Sequence, residues 1–227
     1  MSYIQMQGER NRRIRVGSII CLAQTYEKHA DEMHSTLPSE PVLFLKPASA
    51  VIHSGDAICI PAKSSCVHHE IELGVVIGKT AKKIDATQAL DCVHGYLVCL
   101  DVTARDLQAE AKKTGHPWAI PKGFDTFAPI SQIRKKQDIK DPNDLILELR
   151  CNRSVRQRAS TTQLHWSVEQ IISFISGIMT LQKGDIIFTG TPEGVGEIKR
   201  NDRIDARLYQ HDELLCTLSV NVKDEND

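Results

Sequence analysis

Nowhere in this chain do apolar residues run for the roughly 18 positions that a membrane-spanning helix requires. The longest stretches, such as Gly95-Tyr-Leu-Val-Cys-Leu100, have the length of strands. A membrane partner is therefore not expected. Neither charge sign is in surplus: 28 Lys and Arg face 29 Asp and Glu, for a net charge of -1. Without a basic field there is little to drive phosphate-backbone binding, so nucleic acid is not expected as a partner. Arg10, Arg12 and Arg13 are followed by no apolar h-region or small-residue cleavage site, so no secretory signal is expected. The seven cysteines (Cys21, Cys59, Cys66, Cys92, Cys99, Cys151, Cys216) are an odd set without C-x-x-C spacing. That argues against a disulfide framework or a zinc ribbon and points to a reducing cytoplasm. Internal repeats, low-complexity segments and Gly/Pro-rich linkers are also missing.

What is present is the composition of an ordered protein: 227 residues, 41% hydrophobic and 25% charged, enough chain for a sizeable core. One domain over residues 1–227 is expected, with an N-terminal strand and helix over about 1–40 and a β-rich core over about 41–227. Residues 15–21 read as a first strand. Residues 26–33 suit a short helix with Thr25 as N-cap, before a break at 35–41. Short apolar runs then alternate with turn residues, at 42–45, 50–52, 57–61, 71–77 and 96–102, which is strand-rich texture. Thr103-Ala-Arg-Asp106 predicts a capping box that opens a helix to about Lys113, with Gly115 and Pro117 as stop signals. Residues 145–151 and 155–159 predict two strands around a polar turn at Asn152-Arg-Ser154. The apolar spacing over 167–181 predicts a buried amphipathic helix capped by Ser167. Residues 184–190 and 202–222 supply the remaining strands, and the sum is a mixed α/β, β-dominated barrel or sandwich.

The densest group of chemically capable side chains is Val67-His-His-Glu-Ile-Glu-Leu-Gly74. Alternate residues of an extended strand share a face, so His68, Glu70 and Glu72 line one side and His69, Ile71 and Leu73 the other. Two carboxylates about 7 Å apart on one face repel each other, and a divalent cation between them is the usual remedy. Two glutamates on a solvated strand face are the competing reading. Asp101 falls where a strand meets a helix, fit to bring a third carboxylate or to serve as a strand-end cap. Three oxygen donors suit Mg2+ or Mn2+, whereas zinc would recruit His and Cys, and although Cys66, His68 and His69 are close in sequence, adjacent residues on opposite strand faces cannot easily share one tetrahedral ion. Arg105, Gln108 and Lys122 offer donors to an anionic ligand, although charges on a helix are as readily plain surface. His29 and Glu32 are three apart on the proposed first helix, so the carboxylate can orient an imidazole that acts as general base toward water. An idle, exposed pair is the alternative. Cys99, inside an apolar strand, reads as a small hydrophobe rather than a nucleophile. The loop Thr191-Pro-Glu-Gly-Val-Gly196 has neither a Gly-Lys-Ser/Thr ending nor a Gly-x-Gly-x-x-Gly pattern, which leaves nucleotide binding without support.

Taken together, five strings resemble the fumarylacetoacetate hydrolase family. They are Phe44-Leu-Lys-Pro-Ala-Ser-Ala50, His68-His-Glu-Ile-Glu-Leu-Gly-Val-Val-Ile-Gly78, Asp101-Val-Thr-Ala-Arg-Asp106, Lys122-Gly-Phe124 and Gly190-Thr-Pro-Glu-Gly-Val-Gly196. The chain looks most like the small acylpyruvase and oxaloacetate decarboxylase branch, with motifs in the same order from about residue 14 to 222. The resemblance implies a β-roll or barrel with a short N-terminal lid helix, a homodimer, and Mg2+ or Mn2+ held by Glu70, Glu72 and Asp101. It implies that Arg105, Gln108, Lys122 and Thr191 bind a small 2-oxo acid, with Lys122 also catalytic, and that His29 and Glu32 form the lid-helix dyad that activates water. The expected function is metal-dependent hydrolysis of a C–C bond in acylpyruvate-type 1,3-dicarbonyl acids, with oxaloacetate decarboxylation as a companion activity. Isomerisation or tautomerisation of an enol/keto diacid, and 2-oxo-acid binding with weak turnover, are the alternatives. Where family members usually carry Gly-Arg-Asn-Tyr before the dyad, this chain has Ala23-Gln-Thr-Tyr26, which removes a charged donor near the lid.

Overall fold

Strands dominate, as the alternation of short apolar runs and turn residues predicts. The computed structural model describes residues 2–32 and 37–226. A hairpin comes first, β1 (Tyr3–Met6) against β2 (Glu9–Arg15), then β3 (Ile19–Ala23), the helix α1 (Glu27–Glu32), β4 (Val42–Lys46), β5 (Val51–His53) and β6 (Ala57–Ile60). Next are β7 (Val67–His69), β8 (Ile71–Ile77), α2 (Ala86–Ala89), β9 (Val93–Leu100), β10 (Thr103–Ala104), α3 (Arg105–Thr114) and α4 (Ala119–Gly123). The chain continues through β11 (Ala128–Ile130), β12 (Arg134–Lys135), β13 (Ile146–Cys151), β14 (Ser154–Ser160), α5 (Val168–Ile178), β15 (Ile186–Phe188), β16 (Gly196–Glu197), β17 (Arg203–Gln210) and β18 (Glu213–Asp224).

An eight-stranded sheet, ordered β4-β3-β15-β8-β9-β11-β5 with β12 alongside β9, forms the centre. Its middle strands are buried on both faces and so carry continuous apolar runs. Alternation survives in where the side chains go. Ile20, Leu22, Leu73, Val75, Val98 and Leu100 enter one core with Leu147, Leu149, Leu208 and Val220 of the five-stranded sheet β14-β13-β17-β18-β6. Ile19, Cys21, Val76, Leu97, Cys99 and Phe188 face a smaller core closed by Ile4, Met6 and Ile14 of the N-terminal hairpin. Each fully buried aliphatic side chain contributes roughly 1.5–3 kcal/mol. Helix α5 adds Val168, Ile171, Ile172 and Ile175 to the larger core. Its start is the predicted one, with Ser167 and Gln170 exchanging side chain-to-backbone bonds as a capping box.

The chain departs from its expected course in four places. The strand expected over 15–21 is two strands, because Gly17 N bonds Gly184 O and Ser18 N bonds the Asp185 carboxylate between β2 and β3. Helix α1 begins at Glu27, and Thr25 does not cap it; its hydroxyl donates to Thr189 O at 2.8 Å. The expected helix end at Met33 and the start of the break at Ser35 lie outside the described residues. The string over 67–74 divides at Glu70 into β7 and β8, which belong to different sheets. No capping box opens α3: Thr103 pairs with His68, its hydroxyl donates to Asp101 O, and the Asp106 carboxylate accepts from Ser64 and Ser65. Elsewhere the expected elements form with shifted ends, Val93–Leu100 for 96–102, Val168–Ile178 for 167–181 and Ile186–Phe188 for 184–190, while Ile71–Ile77 matches end to end and Gly115 closes α3 at φ 69°. The β13–β14 turn passes through Asn152 and Arg153 at φ 49° and 73°, the sense that two-residue hairpins require.

Candidate metal centre and active-site cleft

The antiparallel register of β8 and β9 sets Ile71 opposite Leu100 and Glu72 opposite Cys99, and Asp101 N donates to Glu70 O at 2.9 Å. That register carries the Asp101 carboxylate to those of Glu70 and Glu72, all three buried. One oxygen from each lies within 4.8 Å of the others. Three like charges in so dry a place require cations nearby. Lys46, which ends β4, sends Nζ to Asp101 Oδ1 (2.6 Å), Val102 O (3.0 Å) and Lys122 O (2.6 Å). Lys122 of α4 donates to Glu70 Oε2 (2.9 Å) and to Asp101 Oδ2, with its ammonium 4.8 Å from the Phe44 ring centre. Arg105 donates to the other Glu70 oxygen and to Gln108 Oε1 (2.6 Å).

These partners treat the carboxylates unequally. Burial pushes Glu70 up, but Lys122 and Arg105 outweigh it and hold the carboxyl well below its usual range. Burial also lowers Lys122, and Asp101 and Glu70 more than reverse this, bringing it to about 12. Glu72 pairs with no cation among the described residues. Burial, then Asp101 and Glu70, push it well above the carboxylate range, while Gly190 N donates to it at 2.6 Å. Gly190 sits at φ 95°, and a Cβ there would meet Thr25 Oγ1 at 1.9 Å, so only glycine brings this amide to Glu72. Three hard oxygen donors, one of them short of positive charge, suit Mg2+ or Mn2+.

A narrow cleft adjoins the carboxylates, and His29, Gln108, Thr191 and Gln24 also line it. His29 on α1 is buried, with Nδ1 3.2 Å from Glu32 Oε2, and Gly194 N donates to both Glu32 oxygens at 3.2 Å. With Nδ1 turned to Glu32, Nε2 is the ring nitrogen left for the cleft. Arg105, Gln108 and Lys112 follow one stripe of α3 at steps of three and four. Lys112 stands at the exposed end of that stripe, its ammonium 5.4 Å from the Trp118 ring centre. Gln24, in the left-handed region at φ 58°, occupies the position where the resemblance expects arginine.

Glu70, Glu72, Asp101, Arg105, Gln108, Lys122, Thr191 and His29 therefore share one cleft, and Glu32 holds His29. His68, expected on the carboxylate face, is not among the lining residues; the break at Glu70 separates them, and its Nε2 lies 3.3 Å from Cys66 Sγ. Cys99 is fully buried, and burial pushes its thiol up, as suits a small hydrophobe. Two supporting residues escaped the sequence reading. Lys46 had a visible signal, a charge ending the apolar run 42–45. Gln157, in a polar stretch of β14, had none. Its Oε1 accepts from Ile71 N (3.1 Å) and pairs with His69 Nδ1 (3.0 Å), while Nε2 donates to Thr191 Oγ1 and Pro192 O (2.9 Å each).

Residues 18–222 match the family model described as fumarylacetoacetate (FAA) hydrolase C-terminal. The chain belongs to the fumarylacetoacetate hydrolase family. Among family members, the mitochondrial oxaloacetate tautomerase FAHD1 of Homo sapiens is 46% identical over 192 residues, covering 85% of this chain and 87% of that one. A fumarylpyruvate hydrolase from Pseudomonas aeruginosa, solved with Mn2+ and pyruvate, is 36% identical with a TM-score of 0.90, covering 98% of this chain and 96% of that one. A 5-carboxymethyl-2-hydroxymuconate delta-isomerase from Mycobacterium smegmatis is 36% identical with a TM-score of 0.82, covering 95% of this chain and 82% of that one. The fumarylacetoacetate hydrolase fold expected from the motifs is thus the one adopted, and relatives named as hydrolase and as isomerase share it. Among the described residues, no helix is long and apolar enough to cross a membrane.

Proposed function

We propose that this protein catalyses keto–enol tautomerisation of a four-carbon 2-oxo diacid of the oxaloacetate type, using Mg2+ or Mn2+ held by Glu70, Glu72 and Asp101. The observation that carries the reading is the convergence of this buried triad and His29 in one cleft. The 46% identity to an oxaloacetate tautomerase favours proton transfer over cleavage. A bound divalent cation supplies a Lewis acid for the oxygens of the 2-oxo acid. Arg105, Gln108, Lys122 and Thr191 surround those oxygens with donors. His29, with Nδ1 held by Glu32, accepts or returns the migrating proton at Nε2. Lys112 offers a cation to the second carboxylate.

A second reading is hydrolysis of an acylpyruvate, with oxaloacetate decarboxylation beside it. The His29–Glu32 pair favours it, because an imidazole so oriented also deprotonates water. One assay separates the two: loss of enol absorbance from enol-oxaloacetate and from acetylpyruvate, with pyruvate release followed in parallel, in Mg2+ and in EDTA. Metal-dependent ketonisation of oxaloacetate without pyruvate supports the tautomerase, and rapid pyruvate release from acetylpyruvate supports the hydrolase. Absence of both overturns the proposal. A single domain, a homodimer and a cytoplasmic setting complete it. Sedimentation tests the dimer, and cell fractionation tests the setting against the mitochondrial location in the name of the human relative.

A further inference from the structure

We propose that Gln157 is a positioning residue that aims the Thr191 hydroxyl into the cleft as a hydrogen-bond donor to the bound anion. The inference rests on the 2-oxo-acid reading of the site and deepens it. Gln157 is 1% exposed, so its amide answers only to protein partners. Two backbone groups decide which way round that amide lies. Ile71 N can only donate, so the atom it meets is Oε1; Pro192 O can only accept, so the atom it meets is Nε2. The remaining contacts follow. His69 gives its Nδ1 proton to Oε1, which fills both lone pairs, and the second Nε2 proton goes to Thr191 Oγ1. All four hydrogen-bonding capacities of the amide are then used.

The consequence lies in Thr191. Because Oγ1 accepts from Gln157, its own O–H proton must point elsewhere, and Thr191 lines the cleft beside Glu70, Glu72 and Asp101. A donor is what a substrate oxygen needs there, and this hydroxyl joins Arg105, Gln108 and Lys122 on the same cleft. The same amide joins the backbone of Ile71, between Glu70 and Glu72, to the Thr191–Pro192 segment. Gln157 thus sets the distance between the metal-binding strand and the substrate loop as well as the sense of one hydroxyl. A carboxylate in its place reverses that sense: Gln157→Glu offers Thr191 an acceptor, and the hydroxyl turns away from the cleft.

The test is a double-mutant cycle read by oxalate binding to Mn2+-loaded protein, with thermal midpoints recorded for every variant. The cycle comprises wild type, Thr191→Val, Gln157→Glu and the double variant. Gln157→Glu is expected to weaken oxalate about tenfold in the wild-type background and no more than about twofold in Thr191→Val. Gln157→Met, which deletes the donor without supplying an acceptor, should fall between wild type and Gln157→Glu, and it decides the question should the buried glutamate prevent folding. Equal losses in both backgrounds would make Gln157 a purely structural residue and overturn the proposal. An unchanged oxalate affinity in Thr191→Val would overturn it as well, while leaving the metal-centre reading intact. Failure of Mn2+-loaded wild type to bind oxalate would overturn the 2-oxo-acid reading itself.

Discussion

Two clusters of buried acid and neighbouring base can be set side by side. In the cleft, Glu70, Glu72 and Asp101 meet Lys46, Lys122 and Arg105, yet the cations concentrate on Glu70 and Asp101 and leave Glu72 with a backbone amide. On the five-stranded sheet, the single carboxylate of Glu148 accepts from Arg150 (2.8 Å) and Arg158 (2.5 Å), with Arg207 at 3.9 Å. Burial raises Glu148, and the two arginines more than offset it and lower its carboxyl. The second cluster is satisfied by its own chain and asks for nothing else. In the first, burial and two neighbouring carboxylates push one carboxyl up, a demand that a divalent cation would meet. Such unresolved electrostatic demand is what marks a site rather than a brace.

The contrast can be broken at several points. Glu72→Gln should lower kcat/KM by about a thousandfold or more by removing a proposed metal ligand, while leaving the thermal midpoint of EDTA-treated protein unchanged or raised. Activity and melting curves on one preparation check both halves. Lys46→Met should destabilise the fold by about 3 kcal/mol, since it strips the buried Asp101 of a charged partner; urea unfolding measures it. His29→Asn should cost about a hundredfold in kcat with Mn2+ affinity retained, because the role proposed for the imidazole is to move protons and not to hold the ion. The smallest effects belong to the satisfied cluster. Arg158→Ala should cost about 0.5 kcal/mol, given that the side chain is largely exposed and Arg150 remains. Glu148 also has a defined pH signature. Its folded-state carboxyl titrates below the ordinary value, so its contribution is present above that value and is lost as pH falls through the lowered one. Acid unfolding of Glu148→Gln should show a shallower loss than wild type.

What was legible in the sequence was whatever depends on short-range periodicity. Period-two alternation put Ile71 and Leu73 in the core and Glu70 and Glu72 on the other face, and the strand–helix junction located Asp101. Helix α5 was visible from its apolar spacing and its Ser167 cap. What escaped depends on distant partners. The turn at Gly17 and Ser18 is made by Gly184 and Asp185, far along the chain. Thr103 resembled a cap but was drawn into β10 by its pairing with His68. Gln157 looked like any surface glutamine of an exposed strand until Ile71, His69, Thr191 and Pro192 closed around it. The reaction is not written in short-range pattern either: the dyad alone suits hydrolysis, and the proposed proton transfer leans on the 46% identity to a protein named as an oxaloacetate tautomerase.

The central claim is that Glu72, the carboxylate without a cation partner among the described residues, completes a divalent-cation site on which the chemistry depends. The most direct measurement is a Mn2+ titration of metal-stripped protein by electron paramagnetic resonance, with enol-oxaloacetate ketonisation followed at each addition, for wild type and Glu72→Gln. The account predicts one tight Mn2+ per chain, activity rising in step with occupancy, and loss of both in the variant. Ketonisation that proceeds at full rate in stripped protein, or Mn2+ binding untouched by Glu72→Gln, would contradict it.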